Sequence, residues 1–192
     1  MATLCQQPPR PSWSSSCAHF RSALPRIVEK PEALSLLAEN RQALLGGDEG
    51  CVMCALVSRA GPAPEVIHEN EHGMVLLDRF GTREGHLLVI ARPHVEDTLA
   101  LGWEAYQELQ RLAYEGARVL THVLAPARVF IAVLGASAAL PMSFPHFHIH
   151  VLPVYDSDER ARPAYVFSWS AGVLVYDDDE AQKLAQRLRS AW

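Results

Sequence analysis

No stretch of the 192 residues approaches the roughly 20 consecutive apolar positions that a membrane-spanning helix needs. The first residues also lack the short apolar block of a secretory signal, so a cytoplasmic location and no membrane partner are expected. Positive charge is not in excess: the formal net charge is −5. This argues against wrapping nucleic acid by electrostatics alone and leaves any small anionic ligand to be met by local donors. Cysteine is scarce, with four residues. A chain of this length does not need disulfide stapling, and the pair in Cys51-Val-Met-Cys54 has the spacing of a metal clip. Cys5 and Cys17 fall outside that pattern and read as free thiols. Acidic residues are absent from positions 1–28, which carry Arg10, Arg21, Arg26, four prolines and the run Ser14-Ser15-Ser16. That composition predicts a disordered tail, with an organellar transit peptide as the alternative, although amphipathic periodicity is missing.

The remainder is rich enough in apolar residues, at 49% of the whole, to bury one core. One domain over 29–155 is expected, followed by an extension over 156–192. Leu34, Leu37, Ala38, Leu44 and Leu45 recur at helical intervals between Pro31 and the stop at Gly46-Gly47. Three strands are predicted at Glu65–Glu69, Gly73–Asp78 and His86–Ala91, in an antiparallel meander. Asp97 or Thr98 caps a long helix whose buried face runs from Tyr106 through Leu109, Leu112, Ala113, Ala117 and Leu120 to Leu124, before Pro126. Residues 128–135 and 146–154 supply two more strands. The fold class is therefore α+β: a five-stranded antiparallel sheet with one long helix. Beyond it, Tyr165–Ser168 and Val173–Tyr176 read as a hairpin, and Asp177-Asp178-Asp179-Glu180 opens a final helix where the macrodipole favours acids.

The sharpest feature is His146-Phe147-His148-Ile149-His150-Val151-Leu152. A strand has a two-residue period, so all three imidazoles are expected on one face, with Phe147, Ile149 and Val151 turned to the core. A catalytic metal held by all three would need distortion, because alternate strand positions lie roughly 7 Å apart.

This run resembles the His-x-His-x-His-x-x signature of the histidine triad family. Gly85-His86-Leu87-Leu88-Val89-Ile90, followed by Arg92-Pro93-His94, is similar to a second segment of that family, and Leu76-Leu77-Asp78 to the strand before it. With Cys51-x-x-Cys54 ahead of them, the resemblance covers roughly 50–155. It implies a histidine-triad-like fold, usually paired into a homodimer with a ten-stranded sheet. It also implies that His148 is a nucleophile on the α-phosphate of a purine-type nucleotide, forming a nucleotidyl-histidine that water or another acceptor resolves. His150 and His86 would attend the phosphate, Asp78 would accept from the ribose hydroxyls, and Ser143 would serve the phosphate. Cys51, Cys54, His94 and His146 would hold a structural zinc ion, against the alternative of two buried apolar thiols. Two positions depart from the pattern. Met142 stands where many of the family's hydrolases have glutamine, and Gly135 or Leu134 stands near their asparagine. The expected activity is a nucleotide hydrolase or nucleotidyl transferase, with a non-catalytic nucleotide-binding module as the alternative. Trp169 and Trp192 are expected either to rim the pocket or simply to pack, packing being favoured.

Overall fold

The computed structural model describes residues 25–46, 50–135 and 144–192. Within them the elements run β1 (Arg26–Val28), α1 (Lys30–Leu45), α2 (Val52–Ser58), β2 (Val66–Glu69), β3 (Gly73–Leu77), β4 (Leu87–Ala91), α3 (Trp103–Leu124), β5 (Arg128–Ala132), β6 (His148–Val154), α4 (Pro163–Val166), β7 (Val173–Val175) and α5 (Asp178–Ser190). The five strands of the main sheet lie in the order β2-β3-β4-β6-β5, every neighbouring pair antiparallel. This is the expected α+β architecture. No described helix is long and apolar enough to cross a membrane.

Period-two patterning divides the sheet into two apolar faces. On one, Val75, Leu77, Leu87, Val89, Ile149 and Val151 pack against Leu109, Leu112, Ala113, Val119 and Leu120 of α3 and Ala181, Leu184, Ala185 and Leu188 of α5. On the other, Met74, Leu76, Leu88 and Ile90 meet Met53 of α2. The register sets His148 opposite Ile90 and His150 opposite Leu88, which fixes these imidazoles to the second face. The β2–β3 turn is closed by the Asn70 side chain, whose Oδ1 accepts from the N–H groups of His72 and Gly73 at 2.9 Å each.

Three expectations are corrected. The hairpin of 165–168 with 173–176 does not form: Pro163 opens the short helix α4, and the 165–168 amides turn back onto carbonyls of 162–165. Val173–Val175 pairs instead with Arg26–Val28. Those three residues, expected to belong to the tail, are thus an ordered strand; residues 1–24 of that tail lie outside the described part. The long helix begins at Trp103, because Asp97 caps a separate turn of 3-10 helix at Thr98–Ala100. The helix α2 was not foreseen.

The loop between β3 and β4 turns on Gly85, at φ +80°, where a Cβ would stand 2.5 Å from Leu124 Cδ1. Gly85→Ala is expected to cost about 1–3 kcal/mol, read as a lower denaturant midpoint at unchanged slope. An unaltered midpoint would show that the loop can relax around the methyl group.

Candidate functional site

Cys51 is the N-cap of α2 and Cys54 lies in its first turn, so one helical turn brings both sulfurs to one end of the helix. His146 reaches them from just before β6, with Nδ1 3.3 Å from Cys51 Sγ and 3.5 Å from Cys54 Sγ. His94 Nδ1 is 3.3 Å from Cys54 Sγ and 3.3 Å from His146 Nδ1. All four ligand atoms lie within 4.8 Å of one another. Tetrahedral zinc with ordinary bond lengths separates its N and S ligands by about 3.3–3.8 Å, so the spacing fits. The chemistry of the donors agrees. His146 Nε2 donates to Ala91 O at 2.8 Å, leaving Nδ1 as a lone pair aimed at the sulfurs. Burial, and then the neighbouring Cys51, push the Cys54 thiol up to about 11. A divalent cation reverses that cost by drawing the thiolates together. Two cysteines and two histidines suit a structural zinc site with no open position.

The next histidine faces elsewhere. His148 Nδ1 lies 2.7 Å from the carbonyl oxygen of His146, which can only accept, so Nδ1 carries the proton. Burial holds the ring below its ordinary pKa, opposed by the His146 carbonyl and by Asp78. The neutral ring therefore keeps its lone pair on Nε2. His150 Nδ1 is 3.0 Å from His86 Nε2. Burial, reinforced by His148, takes His86 down to about 3, and burial with His86 and His148 lowers His150 as well. Asp78 Oδ1 accepts from Phe80 N–H at 2.9 Å, while Oδ2 stands 3.3 Å from His86 Nδ1 without the alignment of a hydrogen bond.

Asp78, His86, His148 and His150 share the wall of a cleft of about 480 Å³, a size suited to a small organic ligand. One end is aliphatic, with Leu44, Val52, Met53, Leu56 and Leu76; Phe80, Phe167 and Trp169 add aromatic wall. Phe167 meets His150 edge-on, at 5.7 Å between ring centroids. Trp169, for which packing was the favoured reading, does both: it packs with Phe80 and Val173 and lines the cleft. Trp192 does not line it and stacks on His68 at 4.7 Å. Sequence reasoning missed the remaining wall, because apolar residues that line a cleft have the same periodicity as those that fill a core. Ser143 and the departing position Met142 lie outside the described residues.

Burial raises the Asp78 carboxyl to about 6, against the opposing Phe80 amide and His148. A carboxyl whose folded pKa exceeds its unfolded value of 3.8 binds protons more tightly when folded. Its ionisation therefore costs stability as pH rises from about 4 to 6, and the cost stays constant above that. Asp78→Asn is expected to stabilise the fold by about 1–3 kcal/mol at pH 7.5 relative to its effect at pH 4. Paired thermal melts at the two pH values check this, and equal shifts at both would refute it.

Comparisons with known proteins agree with this geometry. The sequence profile of the HIT domain matches residues 62–157. An uncharacterized HIT-like protein of Mycoplasma genitalium is 32% identical over 56% of this chain and 74% of its own. The protein hit of Bacillus subtilis is 24% identical over 74% of this chain and 97% of its own. Among solved structures, a zinc-bound histidine triad family protein from Mycobacterium smegmatis superposes with a TM-score of 0.59 at 26% identity, covering 74% of this chain and 92% of that one.

Proposed function

Because the chain belongs to the HIT domain family, we propose that it is a nucleotide hydrolase or nucleotidyl transferase in which His148 Nε2 attacks the α-phosphorus of a purine-type nucleotide. The observation that carries this reading is the His148 tautomer, fixed by the His146 carbonyl so that the lone pair falls on Nε2, in a ring that lines the cleft. As the bond from Nε2 to phosphorus forms, the bond to the leaving group breaks and its electron pair departs with that group. The His146 carbonyl then accepts from a cationic ring, a stronger hydrogen bond than before. Water attacks phosphorus in the second step, one of its protons passes to solvent, and the P–N bond returns its electrons to His148. Another acceptor in place of water makes the enzyme a transferase.

His86 Nδ1 is buried without a hydrogen-bond partner among the described residues, so the ring proton is assigned to Nε2, donating to His150 Nδ1. His150 Nε2–H is then free to donate to the phosphate or to the departing group. Asp78 accepts from the ribose hydroxyls, and the aliphatic end of the cleft takes the base. A histidine triad protein from Sulfolobus tokodaii is itself described as nucleotide-binding, in keeping with this ligand class. Ser143, next to Met142, is assigned to the phosphate by its sequence position alone. A zinc ion held by Cys51, Cys54, His94 and His146 would tie the start of β6 to α2 and would supply no chemistry to the steps. The test is mass spectrometry of the wild type mixed with nucleoside phosphoramidates, dinucleoside polyphosphates and sugar nucleotides. A nucleotidyl adduct on His148 supports the reading; nucleotide binding with neither adduct nor product would replace it with a binding module.

The same reading includes a cytoplasmic homodimer. β5 is an edge strand of the main sheet, and Ile131, Val133, Leu134 and, on α3, Tyr114 are exposed. An edge with no partner strand among the described residues, beside apolar side chains, invites a second copy to continue the sheet. Light scattering should give twice 21.2 kDa. A species of single mass at micromolar concentration would refute it.

A further inference from the structure

The chain from Tyr155 onward, all but its first three residues beyond the family match, holds one short stretch of chain, the loop that separates Asp78 from His86. Gly85 N–H donates to the Tyr176 hydroxyl at 2.9 Å, and Tyr155 O–H donates to Glu84 O at 2.9 Å. Arg83 reaches the Asp156 carboxylate and the Arg160 carbonyl, at 3.2 Å each. Thr82 Oγ1 donates to Val166 O at 2.5 Å, and Leu174 N–H donates to Gly81 O at 2.8 Å. Arg79 pairs with Asp178 at the start of α5. All seven loop residues are thus held, six by polar contacts and Phe80 by packing in the same cluster as Trp169.

The loop in turn presses on the site. A Cβ at Gly81 would lie 2.7 Å from His86 Cβ and 3.2 Å from its Nδ1, so the loop leaves no room for a side chain between Gly81 and His86. His86 follows Gly85 directly, and its ring makes the 3.0 Å contact that orients His150. The Tyr176 hydroxyl, on a buried side chain, is the partner of the last amide before His86. We infer that Tyr176 is a positioning residue: by holding Gly85 N–H it sets the His86 ring and, through it, the direction of His150. This assignment rests on the catalytic reading above for its kinetic consequence, and on geometry alone for its structural one.

The test compares the full-length wild type with Tyr176→Phe and Tyr155→Phe. The first variant loses a buried acceptor while keeping the ring; the second loses a half-exposed donor to the same loop. For Tyr176→Phe, kcat is expected to fall about tenfold with KM within twofold, as when a group acting in the transition state is displaced. The downfield proton shared by His86 and His150 in the NMR spectrum is expected to shift or vanish, while Tyr155→Phe changes both readouts less than twofold. A lower melting temperature for Tyr176→Phe with kcat and the shared proton unchanged would reduce Tyr176 to a structural anchor and overturn the inference. Equal losses in both variants would overturn the assignment to Tyr176. Should the wild type turn over no substrate, the catalytic reading fails by itself, and the shared proton still decides the positioning claim.

Discussion

His148→Ala is expected to lower turnover by 10⁴-fold or more, a loss on the order of that seen when other enzymes forfeit their nucleophile. The same variant should leave nucleotide affinity within a few-fold of wild type. The two effects separate because different atoms supply them. In the proposed mechanism affinity comes from the aliphatic end of the cleft and from Asp78, none of which His148 builds. Turnover depends on one lone pair, on Nε2, that no neighbour can replace. His150 and His86 have their facing nitrogens committed to each other at 3.0 Å, and His146 is turned toward the cysteines. Rapid-quench kinetics with binding measured by calorimetry checks both halves. If the variant retains a tenth of the wild-type rate, His148 is not the nucleophile. A loss of affinity as large as the loss of rate would instead mean that the cleft had collapsed.

The second large effect belongs to the metal site. Cys54→Ser is expected to take zinc content from one ion per chain to near zero and to lower the melting temperature by about 10 °C or more. Prolonged chelation of the wild type should do the same, reversed by added zinc. The reason is the donor set: two sulfurs and two imidazole nitrogens gather within 4.8 Å of one another, and a metal ion uses all four as ligands at once. His146 also leads directly into β6, so release of the ion loosens the start of the strand that carries His148. Activity should therefore fall along with stability although the ion takes part in no step. Unchanged melting after complete removal of zinc would show that the fold does not depend on it.

Much of this was legible because the chemistry follows a strict spacing. Alternation along His146 to Leu152 announced a strand with imidazoles on one side, and the structure turns His148 and His150 toward the cleft while His146, just before the strand, bends to the cysteines. The Cys51–Cys54 interval and His94 were readable as one donor set. The buried side of α3 was traced from Tyr106 to Leu124 by period alone. What escaped depended on contacts between distant residues. Tyr165–Ser168 has the aromatic and β-branched content of a strand, but Pro163 and local hydrogen bonds make it the end of a short helix and the turn that follows. Arg26–Val28 sits in a stretch whose composition is that of a tail, and only its distant partner makes it a strand. Leu44 was legible only as part of the apolar face of a helix, and it is the arrangement of the surrounding elements that leaves it facing a cleft.

The pairing of β1 with β7 has a temporal consequence. Its two strands come from opposite ends of the described chain, and the cluster they form carries Phe80 and Trp169. Contacts across so long a separation close late, after the meander and α3 have already condensed through nearer neighbours. A ribosome-bound chain can therefore fold its sheet and gather its cysteines and histidines while the aromatic side of the cleft is still unbuilt. Competence to hold a ligand arrives only when β7 has paired with β1, so the aromatic side of the cleft closes after the sheet.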